Sequence, residues 1–275
     1  MTERIPGRMI TPPGSARGRQ KPSLRAIGSG LRGLLAFAAV TLGSRLQADS
    51  EDLVVSASSG VVSRHVYRGV ERSGPAWQVG LDGAVRGWRG QFWSSRPFDS
   101  TAPGELRSAI GYVWSVTKAL SIEASGTHFW YVDAPVAGAA AHSFETNMRM
   151  TWTTRRQVRW VLESGYDIRF RSLAGQGSLE YDLPLPHWGT YLEGRVYVGH
   201  VRAKDVLPEA AGAGVSDAYG YWGADLRLPY RISWHTTLAV DAHFTEAADP
   251  DGDWSPRLAA PGRRAWIGLS ATYEF

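Results

Sequence analysis

One segment limits the possible folds more than any other. Across residues 157–171 apolar and polar side chains alternate. Val158, Trp160, Leu162, Ser164, Tyr166, Ile168 and Phe170 share one face, and Arg159, Val161, Glu163, Gly165, Asp167, Arg169 and Arg171 share the other. Side chains of an extended chain point alternately to opposite faces, so this period predicts a long, two-faced β-strand. Strands of globular proteins run to about five or six residues, whereas a tilted strand crossing a bilayer needs about 9–11.

The pattern recurs. Phe144, Thr146, Met148, Met150 and Trp152 alternate with Ser143, Glu145, Asn147, Arg149 and Thr151, and only residues 153–156, a hairpin-sized link, separate the two segments. Trp234, Thr236, Leu238, Val240, Ala242 and Phe244 alternate with His235, Thr237, Ala239, Asp241 and His243. Ala265, Ile267, Leu269, Ala271, Tyr273 and Phe275 alternate with Arg264, Trp266, Gly268, Ser270, Thr272 and Glu274. Further candidate strands occupy 53–68, 75–88, 90–97, 105–116, 119–131, 177–183, 190–201 and 217–228, about twelve in all. In 90–97 the adjacent Phe92 and Trp93, then Pro97, interrupt the alternation, and the faces of 53–68 are ambiguous. Beyond Ser50 no stretch is apolar enough for a transmembrane helix.

Alternation alone does not say which face points outward. A soluble barrel is apolar inside, and a membrane barrel reverses the order. Three features favour the reversed order. Connections near 89, 117–119, 153–156, 184–189 and 229–232 are short. Those near 69–74, 98–104, 132–142, 202–216 and 245–262 are mostly long, 172–176 excepted, and short turns opposite long loops are the outer-membrane arrangement. Aromatic residues gather at strand ends on the apolar face: Trp114, Trp152, Trp160, Tyr191, Trp234, Tyr273 and Phe275 on the short-turn side, Trp77, Trp130, Phe144, Phe170 and Phe244 on the other. Two such belts match the two interfaces of a bilayer, although an aromatic layer inside a β-sandwich is the competing reading. Finally, the last strand ends in Phe275, like the signal read by bacterial barrel-assembly machinery. The expected fold is all-β: a transmembrane, antiparallel, up-and-down barrel of about twelve strands over 49–275, in a bacterial outer membrane with lipid against its apolar face.

Charge divides the chain. The net charge is +4, from 30 basic and 26 acidic residues. Residues 1–48 hold eight of the basic ones (Arg4, Arg8, Arg17, Arg19, Lys21, Arg25, Arg32, Arg45) and one acid, Glu3, which leaves 22 basic against 25 acidic in the remainder. The basic pI therefore belongs to the N-terminus and argues against nucleic acid as a partner. The apolar run Leu34–Leu42 spans about 14 Å as a helix, too short for a bilayer. Small residues follow it up to Ala48. Residues 1–48 thus read as a signal peptide with a long basic start; a basic tail with a short helix is the alternative. The chain has no cysteine, which excludes disulfides, cysteine–zinc sites and thiol catalysis.

Residues 61–80 read VVSRHVYRGVERSGPAWQVG. The segment resembles the opening of the bacterial TorF-like porins, in which S-x-x-x-x-RG and a polar turn precede PA-x-Q-x-G. Ser63, Arg68, Gly69, Ser73, Pro75, Ala76, Gln78 and Gly80 carry the match. The later GQFWSSRPF looks like that family's third strand without its usual Asn. The resemblance implies an outer-membrane barrel of poorly defined cargo and supplies no catalytic residue.

The face expected to point inward carries both signs of charge: Glu145, Arg149, Arg159, Glu163, Asp167, Arg169, Glu180, Asp182, Glu193, Arg195, Asp225, Arg227, Asp241 and His243. Ionised groups persist there if water fills the lumen or if they pair. Twelve strands lie between the filled interior of eight and the aqueous channel of sixteen. Two readings stand: a narrow polar path for small polar solutes or ions, or a paired network that stiffens a non-conducting, structural or surface-binding barrel. Asp241 and His243 share that face and suggest a base for a barrel hydrolase, but no G-x-S-x-G or H-E-x-x-H accompanies them. Asp249, Asp251, Gly252 and Asp253 resemble part of a calcium loop but lack its later Glu. No cofactor, metal or enzymatic activity is expected.

Overall fold

The computed structural model describes residues 53–99, 103–132, 142–154, 158–203, 217–248 and 262–275. Its strands, in chain order, are β1 (Val54–Val62), β2 (His65–Tyr67), β3 (Val70–Ser73), β4 (Ala76–Val85), β5 (Trp88–Pro97), β6 (Gly104–Ser115), β7 (Leu120–Val132), β8 (His142–Thr153), β9 (Arg159–Asp167), β10 (Ser172–Leu185), β11 (Thr190–Ala203), β12 (Asp217–Arg231), β13 (Thr236–Ala248) and β14 (Gly262–Glu274). Twelve of them close an antiparallel barrel. β4 to β14 follow in chain order, and β1 closes the ring between β4 and β14. β2 and β3 form a separate two-stranded sheet.

The alternation in sequence becomes an inside-out barrel. In β9 Trp160, Leu162 and Tyr166 point outward and are exposed, Leu162 at 56%, while Val161 (1%) and Asp167 (6%) are buried inside. In β8 Phe144, Met148 and Trp152 are outward, and Ser143 and Glu145 are buried. Val240, Ile267 and Leu269 continue the apolar band. Such a surface is far larger than a protein in water ordinarily shows. Ten of the predicted rim aromatics are exposed on it: Trp114, Trp152, Trp160, Tyr191, Trp234, Tyr273 and Phe275 at one edge, Trp77, Trp130 and Phe144 at the other. Phe170 and Phe244 are half-buried instead. Phe170 lies in a turn, and the ring of Phe244 packs against Trp222 at 5.2 Å.

Four boundaries differ from expectation, among them the strand read as 177–183, which is β10 from Ser172 to Leu185 and takes in the expected connection at 172–176. The strand read as 53–68 ends at Val62, because Ser63 closes it: the Ser63 amide donates to the Ile267 carbonyl (2.9 Å), and its Oγ accepts from the Ile267 amide (3.1 Å). The segment 65–73, expected to continue the strand into a loop at 69–74, is the β2–β3 hairpin. The strand read as 157–171 ends at Asp167, whose carboxylate accepts from the amides of Arg169 and Phe170 (both 2.9 Å). That side-chain turn offers the backbone an alternative to the ladder, and Arg171 at φ 49° completes it. The interrupted segment 90–97 nevertheless forms β5, with Pro97 at its last position. Residues 1–48, the Asp249–Asp253 stretch and most of the 132–142, 202–216 and 245–262 connections lie outside the described residues.

Candidate functional site in the barrel lumen

The β2–β3 hairpin lies inside the barrel. Its two-residue turn, Arg68-Gly69, has positive φ at both positions (50° and 78°), as a tight hairpin with the twist of its strands requires. Gly69 is needed twice over. Beyond its φ, an added Cβ would sit 2.8 Å from Tyr221 Cβ and 3.2 Å from Ala247 Cβ. The tip therefore presses against β12 and β13.

Side chains from around the barrel hold it. Arg68 donates two hydrogen bonds to the Glu145 carboxylate of β8 (2.7 and 2.8 Å), a bidentate, charge-assisted pair with Glu145 almost fully buried. Gly165 makes room for that pair: a Cβ there would lie 2.7 Å from Glu145 Oε1 and 2.8 Å from Arg68 Nη2. The Tyr219 hydroxyl donates to the Arg68 carbonyl (3.0 Å). Val70 joins Ala174, Val201, Tyr219, Tyr221 and Ala247 in the hydrophobic core of the molecule. The Tyr67 ring meets Phe129 at 6.1 Å, with the Arg107 guanidinium 4.3 Å from its centre; Arg107 is itself paired with Glu105. His65 packs against Trp93 (5.2 Å). Burial pushes its imidazole down to about 4, so it adds no charge beside Arg107 at neutral pH. Glu71 pairs with Arg264 of β14 (3.2 Å). These wall residues sit at the strand ends next to the longer connections, so the hairpin fills that half of the lumen.

Below the hairpin is a cavity of about 1070 Å³, bounded above by residues such as Tyr67 and Arg68 and reaching Val54, Arg89 and Glu123 near the short turns. Its two walls differ. On β8 to β13 the charges pair across strands: Arg149 with Glu163 (3.1 Å) and Arg195 with Glu163 (3.5 Å) line the cavity, and outside its lining the same strands carry Arg159 with Asp182 (2.6 Å) and Glu180 (3.2 Å) and Arg227 with Glu193 and Asp241 (both 3.8 Å). On the opposite side much of the lining is small or uncharged, including Gln78, Gln91, Ala109, Gly111, Ser125 and Thr127, and the charges there are Asp82 and the Arg89–Glu123 pair (3.6 Å). The paired wall holds six carboxylates (Glu163, Glu180, Asp182, Glu193, Asp225, Asp241) and four guanidinium groups (Arg149, Arg159, Arg195, Arg227). Its carboxylates outnumber its guanidinium groups, so this wall is net negative.

The expected inward residues thus separate into three groups. Eleven, from Arg149 to His243, form the paired wall. Glu145 holds the hairpin. Asp167 and Arg169 belong to the turn after β9, Asp167 buried and Arg169 exposed. His243 is oriented by Asp225 (2.8 Å), not by Asp241, and its ring stacks on Trp266 at 4.8 Å. Asp225 is its cross-strand neighbour, a relation the spacing of Asp241 and His243 did not contain. The residues carrying the family match also fall into place. Ser63 and Pro75 are the roots of the hairpin, with Pro75 accepting from the Phe98 amide (2.9 Å). Arg68 and Gly69 are its tip, Ser73 and Ala76 are buried where it returns to the wall, and Gln78 and Gly80 lie on the first strand after it. Unanticipated were Tyr67, Trp93, Arg107, Tyr219 and Tyr221. The one signal available was an aromatic residue on the polar face of Tyr219, Tyr221 and Trp93.

No protein-family model matches the sequence, and no curated protein does. Solved structures are similar at low identity. The NanC porin is 8% identical, over 80% of this chain and 98% of that one, with a TM-score of 0.48. An outer membrane channel from Pseudomonas putida F1 is 11% identical, over 82% and 96%, with a TM-score of 0.49. LpxR from Salmonella typhimurium is 7% identical, over 79% and 99%, with a TM-score of 0.45.

Proposed function

We propose that this chain is an outer-membrane channel giving small polar solutes or ions passive passage through a narrow, charged lumen. One observation carries the reading: a closed barrel with an apolar outer band and, inside, a chamber of about 1070 Å³ lined by polar and charged side chains. An apolar exterior has a use in lipid and none in water, and charges along an interior wall have a use where water reaches them. The resemblance of residues 61–80 to the TorF-like porins agrees with this reading, as does Phe275 at the end of the last strand as a signal for barrel assembly.

A second reading has its own support. The hairpin and the paired charges occupy much of the interior, as in a barrel that serves as a structural or surface-binding module. Conductance separates the two. Purified protein in planar bilayers should give discrete current steps, and the net negative wall should turn the reversal potential in a salt gradient toward cations. An electrically silent barrel, even without its hairpin, would favour the second reading.

We further propose that residues 1–48 are an export signal. N-terminal sequencing of outer-membrane material is expected to begin near Asp49, close to where the described barrel begins. An intact Met1 in the cytosolic fraction would count against export.

A further inference from the structure

We propose that the β2–β3 hairpin is a gate: a resident constriction, latched by Arg68 and Glu145, that must leave its seat for the channel to open. The inference rests on the channel reading above and concerns how that channel is regulated.

The hairpin is built to be separable. It is three and four residues long, joined only to itself by backbone pairing and not to any barrel strand. An isolated two-stranded hairpin is marginally stable, so its position depends on what its side chains meet. Both roots are fixed. Ser63 is bonded to Ile267 and Pro75 to Phe98, so residues 64–74 form one unit swinging between two anchored points. At Gly74 nothing lies within 4 Å of where a Cβ would be, although Ser73 and Ala76 on either side of this root are buried.

The seat is discrete. The strongest polar attachment is the bidentate Arg68–Glu145 pair at the tip, supported by the Tyr219 hydroxyl on the Arg68 carbonyl and by Glu71 on Arg264. Two glycines of the wall make room around this seat. Gly165 leaves space for the ion pair, and Gly199 leaves space for the Tyr221 ring, whose Cζ would lie 2.3 Å from a Cβ at that position. Beneath the seat the chamber continues to the short turns, so among the described residues the hairpin is the obstruction on the long-connection side. When it leaves, the Arg68 guanidinium and the Glu145 carboxylate both return to water, which limits the cost of opening; a fully buried, apolar plug would lack that compensation.

The test compares three proteins in planar bilayers: the mature chain, a variant with His65–Ser73 replaced by a short Gly-Ser linker, and Glu145→Gln. Folding is checked by heat-modifiable migration in gels. The unaltered protein should be closed most of the time with brief steps, and the linker variant should conduct continuously with larger steps. Glu145→Gln keeps the shape but removes the charge, and should raise open probability roughly tenfold with unchanged step size. Identical steps and open probability in the unaltered and linker proteins would overturn the gate and leave the channel standing. Silence in both would overturn the channel reading, and the gate with it. If the linker variant fails to fold, Glu145→Gln decides alone, and gating unchanged from the unaltered protein overturns the proposal.

Discussion

Replacing Leu162 by arginine should destabilise the barrel by about 2–4 kcal/mol in lipid vesicles. Leu162 lies in the middle of β9, between Met150 of β8 and Gly177 of β10, and its side chain points away from the lumen. It is 56% exposed with only protein present, so in a membrane its contacts are with acyl chains. An arginine there would have to hold its charge near the bilayer midplane or bend toward an interface. The neighbouring residue supplies the control. Glu163 points inward, beside Arg149 at 3.1 Å and Arg195 at 3.5 Å, with its side chain about one-third exposed. Glu163→Gln keeps a polar group among polar groups, and loss of a partly solvated pair costs less than about 1 kcal/mol. It should, however, weaken cation preference by removing one fixed negative charge from the chamber wall. Urea titrations of folding into vesicles, followed by reversal potentials, separate the two effects. Equal stability of Leu162→Arg and the unaltered protein would show that this face does not meet lipid.

Why the barrel was legible and the hairpin was not follows from how each is encoded. Barrel strands state their structure locally. Residues 159–167 announce a strand and both of its faces with no knowledge of their partners, because the period is a property of the extended backbone. Strand count, alternating turn lengths and the outward face of Leu162 or Val240 all come from such local signals. The ends of β1 and β9 do not. Val62 and Asp167 end their strands through hydrogen bonds that compete with the ladder, from Ser63 to Ile267 and from Asp167 to its own following amides. Apolar periodicity is blind to both.

The lumen was half legible for a related reason. Alternation placed Glu163, Asp225 and Asp241 inside, yet which charges meet depends on register across strands. Register puts His243 opposite Asp225, and Glu193 opposite Arg227. The hairpin is further from reach, since it is assembled by side chains from β5 to β14 that share no sequence neighbourhood. Arg68-Gly69 was visible only as part of a family-like motif. Its role emerges when the positive φ of both residues and the closeness of Tyr221 are seen together.

That closeness yields the last expectation. Gly69→Val should unseat the hairpin while leaving the barrel folded. A β-branched residue at φ 78° costs about 1–3 kcal/mol in backbone strain. Its Cβ would also fall 2.8 Å from Tyr221 Cβ and 3.2 Å from Ala247 Cβ, on wall strands that cannot retreat without opening the ladder. Overpacking of this kind adds about 1–3 kcal/mol. Both costs apply to the docked hairpin, whereas a hairpin free of the wall escapes the second and can relax the first. The β12–β13 pairing has a ladder of its own and does not depend on the tip. Trypsin reports the difference without reference to conduction. In the unaltered protein Arg68 is held inside the lumen against Glu145 and should resist cleavage. In Gly69→Val the folded protein should be cut at Arg68, giving a nicked barrel that still shifts its migration on heating and that, once denatured, releases a fragment running from the introduced valine at position 69 to Phe275. Gly83→Val is the matched control: it adds the same side chain to β4 where nothing lies within 4 Å, and should leave Arg68 protected. Equal protection of Arg68 in Gly69→Val and the unaltered protein would mean that the tip tolerates a side chain the geometry excludes, and that the hairpin is not seated on Tyr221 and Ala247.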